Sequence, residues 1–241
     1  MTPEKFLSVL RGEEQPNGGK TLKTKKGDKI FINFSDHGSP GLIAFPTKVL
    51  YATDFMETLK FMHAHEMYSE MMIYIEACES GSMFENLLPE DMNIYATTAA
   101  NSVESSWGYY CYPDDIVDGK HIGSCLGDLY SIIWMENSDE SQLCVETISE
   151  QFDVIKTKTT KSHVMEFGDK SIKSEVVGNF EGTCDAPSVQ NKLLSYVNKA
   201  ITSVKDQFEK EYTAWDSRDV KLHYLYNRYI MTKDPLDAME L

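Results

Sequence analysis

A cysteine and a histidine in this sequence each follow a short apolar segment. Cys78 lies in "YIEACESGSMF", just after the run "MMIYI", and His37 lies in "SDHGSPG", after "KIFINF". A thiolate attacks acyl carbon atoms, and a histidine that takes and returns its proton makes that attack effective. The two residues could therefore form a nucleophilic site. A buried structural cysteine and a hydrogen-bonded histidine without a catalytic role are the alternative.

The apolar runs before both residues predict buried strands of a largely parallel sheet. Segments 29–34, 71–77 and 92–100 are short, apolar and bounded by turn residues, whereas 54–67 repeats apolar residues at helical spacing. Strands that alternate with helices predict an α/β fold, in which sites form at the carboxyl ends of the strands. We therefore expect His37 and Cys78 on one edge of the sheet, after adjacent strands.

Helices are predicted at both ends of the chain and in its middle. Thr2 and Pro3 are typical of a helix start, and Asp54 and Glu57 have the spacing of a capping box. Apolar residues at helical spacing predict further helices at 139–157, 187–213 and 216–229. The last two are either a regulatory appendage or ordinary packing helices.

The composition excludes several classes of function. The chain has 241 residues, 41% of them hydrophobic, and a net charge of −15, which argues against nucleic acid and against anionic membrane surfaces. It has no apolar run of about 18 residues, so no membrane insertion is predicted. Its first residues lack the features of a signal peptide. None of the five cysteines is spaced as in a zinc finger, so no metal site is predicted.

Several motifs resemble the legumain family, the asparaginyl endopeptidases of the caspase-like clan of cysteine proteases. In family order and spacing they are "SDHG", "YIEACESGSMF", "IYATTAAN", "ESSWG", "LGDLYS", "WMENSD" and "SHVMEFGD", and "ESSWGYYC" is most similar to plant members. The resemblance implies an α/β caspase-like three-layer sandwich with a mostly parallel sheet, plus C-terminal helices. It places a catalytic domain at 1–180 and a linker with a helical, activation-peptide-like tail at 181–241.

The resemblance also implies roles for the residues at the strand ends. Cys78 is the expected nucleophile, which forms a thioester acyl-enzyme, and His37 is the expected general base and acid. Gly38 is expected to direct its N–H at the oxyanion. This mechanism needs no cofactor. The family cleaves peptides and proteins after asparagine, and less readily after aspartate.

Five further residues match the family's substrate-binding positions. Glu76 and Asp128 are expected to accept hydrogen bonds from the NH₂ group of an asparagine side chain, which offers two donors and one acceptor. Ser105, Ser106 and Trp107 match the wall of that pocket and the edge along which substrate lies. For each of these residues an ordinary core or loop position is the alternative.

A disulfide and a compartment follow from the same resemblance. Plant-type members join the positions of Cys111 and Cys125, which here enclose 13 residues. Such a disulfide would contribute about 3 kcal/mol in the chain-entropy model. The family also implies the lysosome or the vacuole as the compartment.

The C-terminal tail is expected to act as an inhibitory lid over the site. Arg218 could meet Glu76 or Asp128, and Trp215, Tyr224 and Tyr226 offer apolar bulk. Asn227 is a candidate site of self-cleavage. These are the only parts of the tail to which we assign a role from the sequence.

The resemblance is incomplete at the N-terminus. In the family, a segment before "TPEKF" supplies the first strand of the sheet, an arginine that binds the substrate's amide oxygen, and an asparagine that orients the histidine. Without that segment the alternative function is an inactive, truncated or degenerate legumain-like protein that binds peptides or partner chains.

Overall fold

The structure is a computed structural model that describes residues 1–14, 19–182 and 211–234, together with positions 236 and 239. Cys184 and nearly all of the helix predicted at 187–213 lie outside these residues. The final residues of that prediction, 211–213, are described and are not helical.

The described chain alternates strands and helices, as predicted for an α/β protein. The strands are β1 (Lys29–Ser35), β2 (Gly38–Ser39), β3 (Leu42–Phe45), β4 (Lys48–Tyr51), β5 (Glu70–Glu76), β6 (Ile94–Thr98), β7 (Trp107–Cys111), β8 (Ile116–Val117), β9 (Lys120–His121), β10 (Cys125–Asp128), β11 (Met165–Gly168) and β12 (Ala214–Asp216). The helices are α1 (Pro3–Leu10), α2 (Ala52–Ala64), α3 (Leu129–Glu140), α4 (Ile148–Lys158), α5 (Gly178–Glu181) and α6 (Val220–Thr232). Short 3-10 helices cover Ser80–Met83 and Lys170–Ser174.

The central sheet has the order β1-β5-β6-β11. The first three strands are parallel, and β11 is antiparallel to β6. Ser35 at the end of β1 is level with Glu76 at the end of β5. This register brings the two chain segments that leave these strands to the same edge of the sheet.

Both faces of the central sheet are buried, which explains why its strands are continuous apolar runs. On β5, Ile73 and Ile75 belong to a core that includes side chains of α1 and α2, whereas Met72 and Tyr74 belong to a core with α3 and α4. Successive strand residues point to opposite faces, so a strand covered on both sides has no polar alternation. Helices, sheet and helices form the three layers of a caspase-like α/β sandwich.

Two smaller sheets flank the central one. β7 lies between β10 and β12, with both neighbours antiparallel to it, and β2, β3 and β4 form a three-stranded antiparallel sheet. Cys111 on β7 and Cys125 on β10 are directly opposite each other and are joined by a disulfide, which confirms that prediction.

Two helix predictions were wrong in detail. The helix predicted at 139–157 is divided, because residues 141–147 form a loop and Thr147 starts α4 with a capping box to Glu150. The capping box predicted at Asp54 is absent, because α2 begins two residues earlier and Asp54 lies in its first turn. Thr2 caps α1 as expected, accepting from the Lys5 N–H.

Across the part of the chain that the structure describes, no helix combines the length and apolarity needed to cross a bilayer.

Candidate active site

The ends of β1 and β5 bring His37, Gly38 and Cys78 together. The two strands are adjacent and parallel, so the segments that follow them leave the sheet side by side, as predicted. Gly38 packs so closely on the chain after β5 that a Cβ atom there would collide with the Cys78 carbonyl oxygen and lie 3.0 Å from Ala77 Cβ. Only glycine fits at this position without displacing the backbone.

The Cys78 thiol is buried against the segment that leads into β7. Cys78 is 1% exposed, and it is the one cysteine of the described residues with a free thiol. The Ser106 N–H points at its Sγ atom from 3.4 Å, and Ser106 Oγ lies 3.7 Å from the same sulfur. Cys144 is in a disulfide and is not paired with Cys78, whose thiol is free.

His37 is exposed and its backbone is fixed by two neighbours. Its N–H donates to Asp36 Oδ1 at 2.7 Å, and its carbonyl accepts from the Ala44 N–H on β3 at 2.8 Å. Asp36 in turn donates its own N–H to the Glu76 carbonyl at 3.2 Å, which joins this segment to the end of β5. The His37 backbone is therefore held in place at this edge of the sheet, and its side chain is exposed.

Glu76 and Asp128 are two buried carboxyl groups at the same edge. Ser131, in the first turn of α3, donates its N–H to Glu76 Oε2 at 2.8 Å, and Ser35 Oγ donates to Asp128 Oδ2 at 3.2 Å. Glu76 Oε1 is buried and has no partner among the residues that the structure describes. An unpaired buried oxygen of this kind is available to a donor on a ligand.

Burial controls the ionisation of both acids. Complete burial, and then the negative charge of Asp128, raises the pKa of Glu76 well above its usual range. Burial also raises the pKa of Asp128, although the Ser35 hydrogen bond and the positive charge of His37 act in the opposite direction. The pair therefore holds protons to a higher pH than exposed carboxyl groups do.

The residues after Cys78 form a tight turn. Glu79 has a left-handed backbone with φ 47°, and the 3-10 helix Ser80–Met83 follows it. The Glu79 N–H donates to the Glu104 carbonyl at 2.8 Å. This hydrogen bond connects the turn to the segment that carries Ser105 and Ser106.

The hydrogen bonds that hold Glu104 were not predictable from any local pattern. Its Oε1 atom accepts from the N–H groups of Asn101 and His163 at 2.9 and 2.7 Å, and its Oε2 atom lies 2.8 Å from His163 Nδ1. These contacts lower the Glu104 pKa against the opposing effect of its partial burial. Both residues lie in motifs that resemble the family, Glu104 in "ESSWG" and His163 in "SHVMEFGD", and that was the one available signal.

A strand from the C-terminal tail covers this end of the site. β12 pairs with β7 so that Trp215 is opposite Gly108 and Asp216 is opposite Trp107. The next residue, Ser217, donates its N–H to the Ser106 carbonyl at 3.1 Å, and its hydroxyl accepts from Ser106 Oγ at 3.1 Å. The tail therefore reaches the serine that contacts the Cys78 sulfur.

Arg218 does not meet Glu76 or Asp128, so that prediction was wrong. Its guanidinium pairs with Glu79 Oε1 and donates through Nη1 to Ser105 Oγ at 2.6 Å. Glu76 and Asp128 are held instead by Ser131 of α3 and Ser35 of β1.

The aromatic residues of the tail have different surroundings. Trp215 stacks on His223 with ring centres 4.5 Å apart, and Tyr224 packs near Gly123, whereas Tyr226 is 54% exposed and contributes no covering bulk. Asn227 lies within α6 and donates to the Gly123 carbonyl at 3.4 Å.

The Trp107 side chain is partly buried and packs against the core that includes α3 and α4, and its main chain pairs with Asp216 of β12.

Comparison with known proteins identifies the family. The peptidase C13 family model matches residues 1–183. The chain is 47% identical to mouse (Mus musculus) legumain over 245 aligned residues, which cover 100% of this chain and 52% of the mouse protein. It is 43% identical to vacuolar-processing enzyme beta-isozyme 1 of Oryza sativa subsp. indica, over 86% of this chain and 44% of that protein.

A Schistosoma japonicum protein named hemoglobinase is 41% identical over 98% of this chain and 51% of its own length. The chain thus spans about half the length of these curated relatives. The family model covers most of the sequence, and the chain is 41–47% identical to these three relatives. The chain therefore belongs to the peptidase C13 family.

Proposed function

We propose that this protein is a cysteine endopeptidase that cleaves peptide bonds after asparagine, and less readily after aspartate. The observation that carries the proposal is the convergence of a free thiol, a histidine and a closely packed glycine at the ends of two adjacent parallel strands, in a chain of the peptidase C13 family. The lysosome or the vacuole is the proposed compartment, because one group of relatives is named vacuolar-processing enzyme.

In the proposed reaction, Cys78 attacks the carbonyl carbon of the asparagine residue. His37 takes the thiol proton, and the Gly38 N–H stabilises the oxyanion as the tetrahedral adduct forms. The adduct collapses with loss of the amine, which receives the proton from His37, and a thioester remains on Cys78. Water, deprotonated by His37, then attacks the thioester and releases the carboxylic acid and the free thiol.

The proposed asparagine pocket consists of Glu76 and Asp128. The unpartnered Glu76 Oε1 supports this role, because an asparagine NH₂ group can supply the missing donor. A substrate aspartate has no such donor when ionised, and its negative charge would be unfavourable beside two buried carboxyl groups. Mildly acid conditions, in which the substrate carboxyl group is protonated, should therefore favour aspartate cleavage.

The tail strand is the proposed inhibitory lid. It occupies the free edge of β7, and Ser217 and Arg218 contact the serines beside Cys78. Replacing Arg218 removes the ion pair that attaches the tail to Glu79. If the tail must leave before substrate can bind, a fresh sample shows a lag before activity, and Arg218→Ala should shorten that lag. Lys221→Ala, which removes an exposed cation from α6, is the matched control and should leave the lag unchanged. Equal lags in the two variants would argue against the lid.

The endopeptidase itself is tested with the full chain and fluorogenic peptides that differ only in carrying Asn, Asp or Gln at the cleaved position. We expect cleavage after Asn, slower cleavage after Asp that improves toward acid pH, and loss of both in Cys78→Ala. Cleavage that persists in Cys78→Ala would refute the assigned nucleophile. Binding of the Asn peptide without turnover by the unsubstituted chain would instead support the alternative, an inactive peptide-binding protein.

A further inference from the structure

Glu79 follows the proposed nucleophile and carries a carboxylate that is almost completely buried. Its side chain is 7% exposed, although the cation that it pairs with, Arg218, is about half exposed. One oxygen contacts that guanidinium, and the other, Oε2, is buried without a partner in the described part of the chain. A buried carboxylate that loses its cation is strongly unfavourable. The Glu79 position therefore requires a positive group whenever the tail is absent.

The tail strand shows the path by which a cation reaches Glu79. Residues 214–216 pair with β7, and Ser217 then contacts Ser106, the residue whose N–H points at the Cys78 sulfur. The next residue along the chain, Arg218, reaches Glu79. An extended peptide that pairs with β7 in the same direction places one residue beside the thiol and the following residue beside Glu79.

We propose, on the basis of the endopeptidase function proposed above, that Glu79 and Ser105 form a binding site for the guanidinium or ammonium group of the residue that follows the cleaved asparagine. Once the tail strand has left β7, the enzyme then prefers Asn–Arg and Asn–Lys bonds to bonds that precede a neutral residue. Arg218 occupies this site in the covered state.

The positions of the two acceptors, Glu79 and Ser105, favour an arginine side chain over a lysine side chain. The Arg218 guanidinium bridges Glu79 and Ser105, with Nη1 on the Ser105 hydroxyl and Nη2 on the carboxylate. A planar guanidinium offers donors in a fixed fork that can reach both acceptors, whereas an ammonium group is a compact point charge. Arginine should therefore be preferred to lysine, and lysine to an uncharged residue.

The other acids of the site do not supply the same contact. Glu76 is held by the Ser131 N–H at the start of α3, and Asp128 is held by Ser35 at the end of β1. Glu79 is linked instead to the Glu104 carbonyl, in the segment between β6 and β7. The acids of the asparagine pocket and Glu79 are thus held by different segments, and only Glu79 contacts the tail.

The test uses the full chain carrying Arg218→Ala, which leaves Glu79 without its internal cation, and rates are measured after the lag, once the tail strand has left β7. Peptides that share one sequence carry Arg, Lys or citrulline directly after Asn, and citrulline is an uncharged analogue of arginine. Hydrogen bonds to charged groups contribute roughly 1.5–3 kcal/mol, so kcat/KM for the arginine peptide should exceed that for the citrulline peptide by about tenfold or more. Glu79→Gln in this background should bring the ratio close to one.

Glu66→Gln is the matched control. Glu66 is an exposed acid that pairs with Lys26 far from the site, and its replacement should leave the ratio as in the background. If the Arg218→Ala chain, which retains Glu79, gives an arginine-to-citrulline ratio near one, the inference is overturned. This outcome does not depend on whether Glu79→Gln folds. An unchanged ratio in Glu79→Gln also overturns it, as does a preference for Arg before, rather than after, the asparagine.

The peptide assay distinguishes a failure of the endopeptidase function from a failure of the inference about Glu79. If no asparagine peptide is cleaved, the endopeptidase function is refuted and this inference is refuted with it. If asparagine peptides are cleaved equally whatever residue follows, only the inference about Glu79 is refuted.

Discussion

Replacing Gly38 with alanine tests whether the close approach of the two strand ends positions the site. The added methyl group would collide with the Cys78 carbonyl oxygen, and Ala77 Cβ at 3.0 Å blocks the neighbouring space. Because the main obstacle is backbone, no side chain can rotate away, and the segment after β1 must move. Overpacking of this kind costs about 1–3 kcal/mol, and we expect a value at the upper end of that range.

The cost can be measured by urea unfolding, together with peptide cleavage. With a slope of about 2 kcal/mol per molar urea, a loss of about 3 kcal/mol lowers the midpoint by about 1.5 M. Activity should fall more steeply than stability, because the oxyanion N–H and His37 move with the displaced segment. Gly182→Ala is the matched control, since its backbone is extended and a Cβ there meets nothing within 4 Å. If the two alanine variants unfold at the same midpoint, the reasoning is refuted.

Three further predictions concern stability. Burial raises the pKa of Glu181, so the folded state binds more protons than the unfolded state and loses stability as pH rises above about 4.3. Glu181→Gln should therefore be more stable than the parent at pH 7.5 but not at pH 4, and an equal gain in urea midpoint at both would contradict this. Thr147→Ala removes the hydroxyl that caps α4 and should cost about 1 kcal/mol in thermal unfolding. Thr147→Ser keeps a hydroxyl acceptor at the cap and should cost little. Replacing Cys111 and Cys125 with serine opens a 13-residue loop and should cost about 3 kcal/mol in urea unfolding, and a cost below 1 kcal/mol would show that β7 and β10 hold without it.

The central sheet and the position of its site were predictable because both depend on local patterns. Continuous apolar runs located β1, β5 and β6, and the topology of parallel strands then placed His37 and Cys78 at one edge. The Cys111–Cys125 disulfide, in contrast, came from family resemblance alone, since five cysteines leave many pairings open. The catalytic and pocket roles of these residues, and the division of the chain at 180, remain predictions.

The contacts of the tail were not predictable from the sequence. Arg218 and Glu79 are 139 positions apart, and no local pattern indicates which of three neighbouring acids a distant arginine will choose. β12 has three residues and no apolar alternation, so its pairing depends on the open edge of β7 rather than on its own sequence. The strand β11 was missed for a related reason, since its four residues are too few to show an apolar pattern of their own.

The pairing of β12 with β7 has a consequence for competition at that edge. A peptide that replaced β12 would restore the same main-chain hydrogen bonds, so the exchange itself yields little net bonding free energy. The tail, however, is covalently attached, and a tethered segment can act at an effective concentration in the millimolar range. A free peptide at micromolar concentration would therefore be outcompeted about a thousandfold at equal intrinsic affinity. Cutting the chain shortly before β12 would remove this advantage without altering a single contact of the strand, so the tether is as important to occupancy as the residues that touch the site.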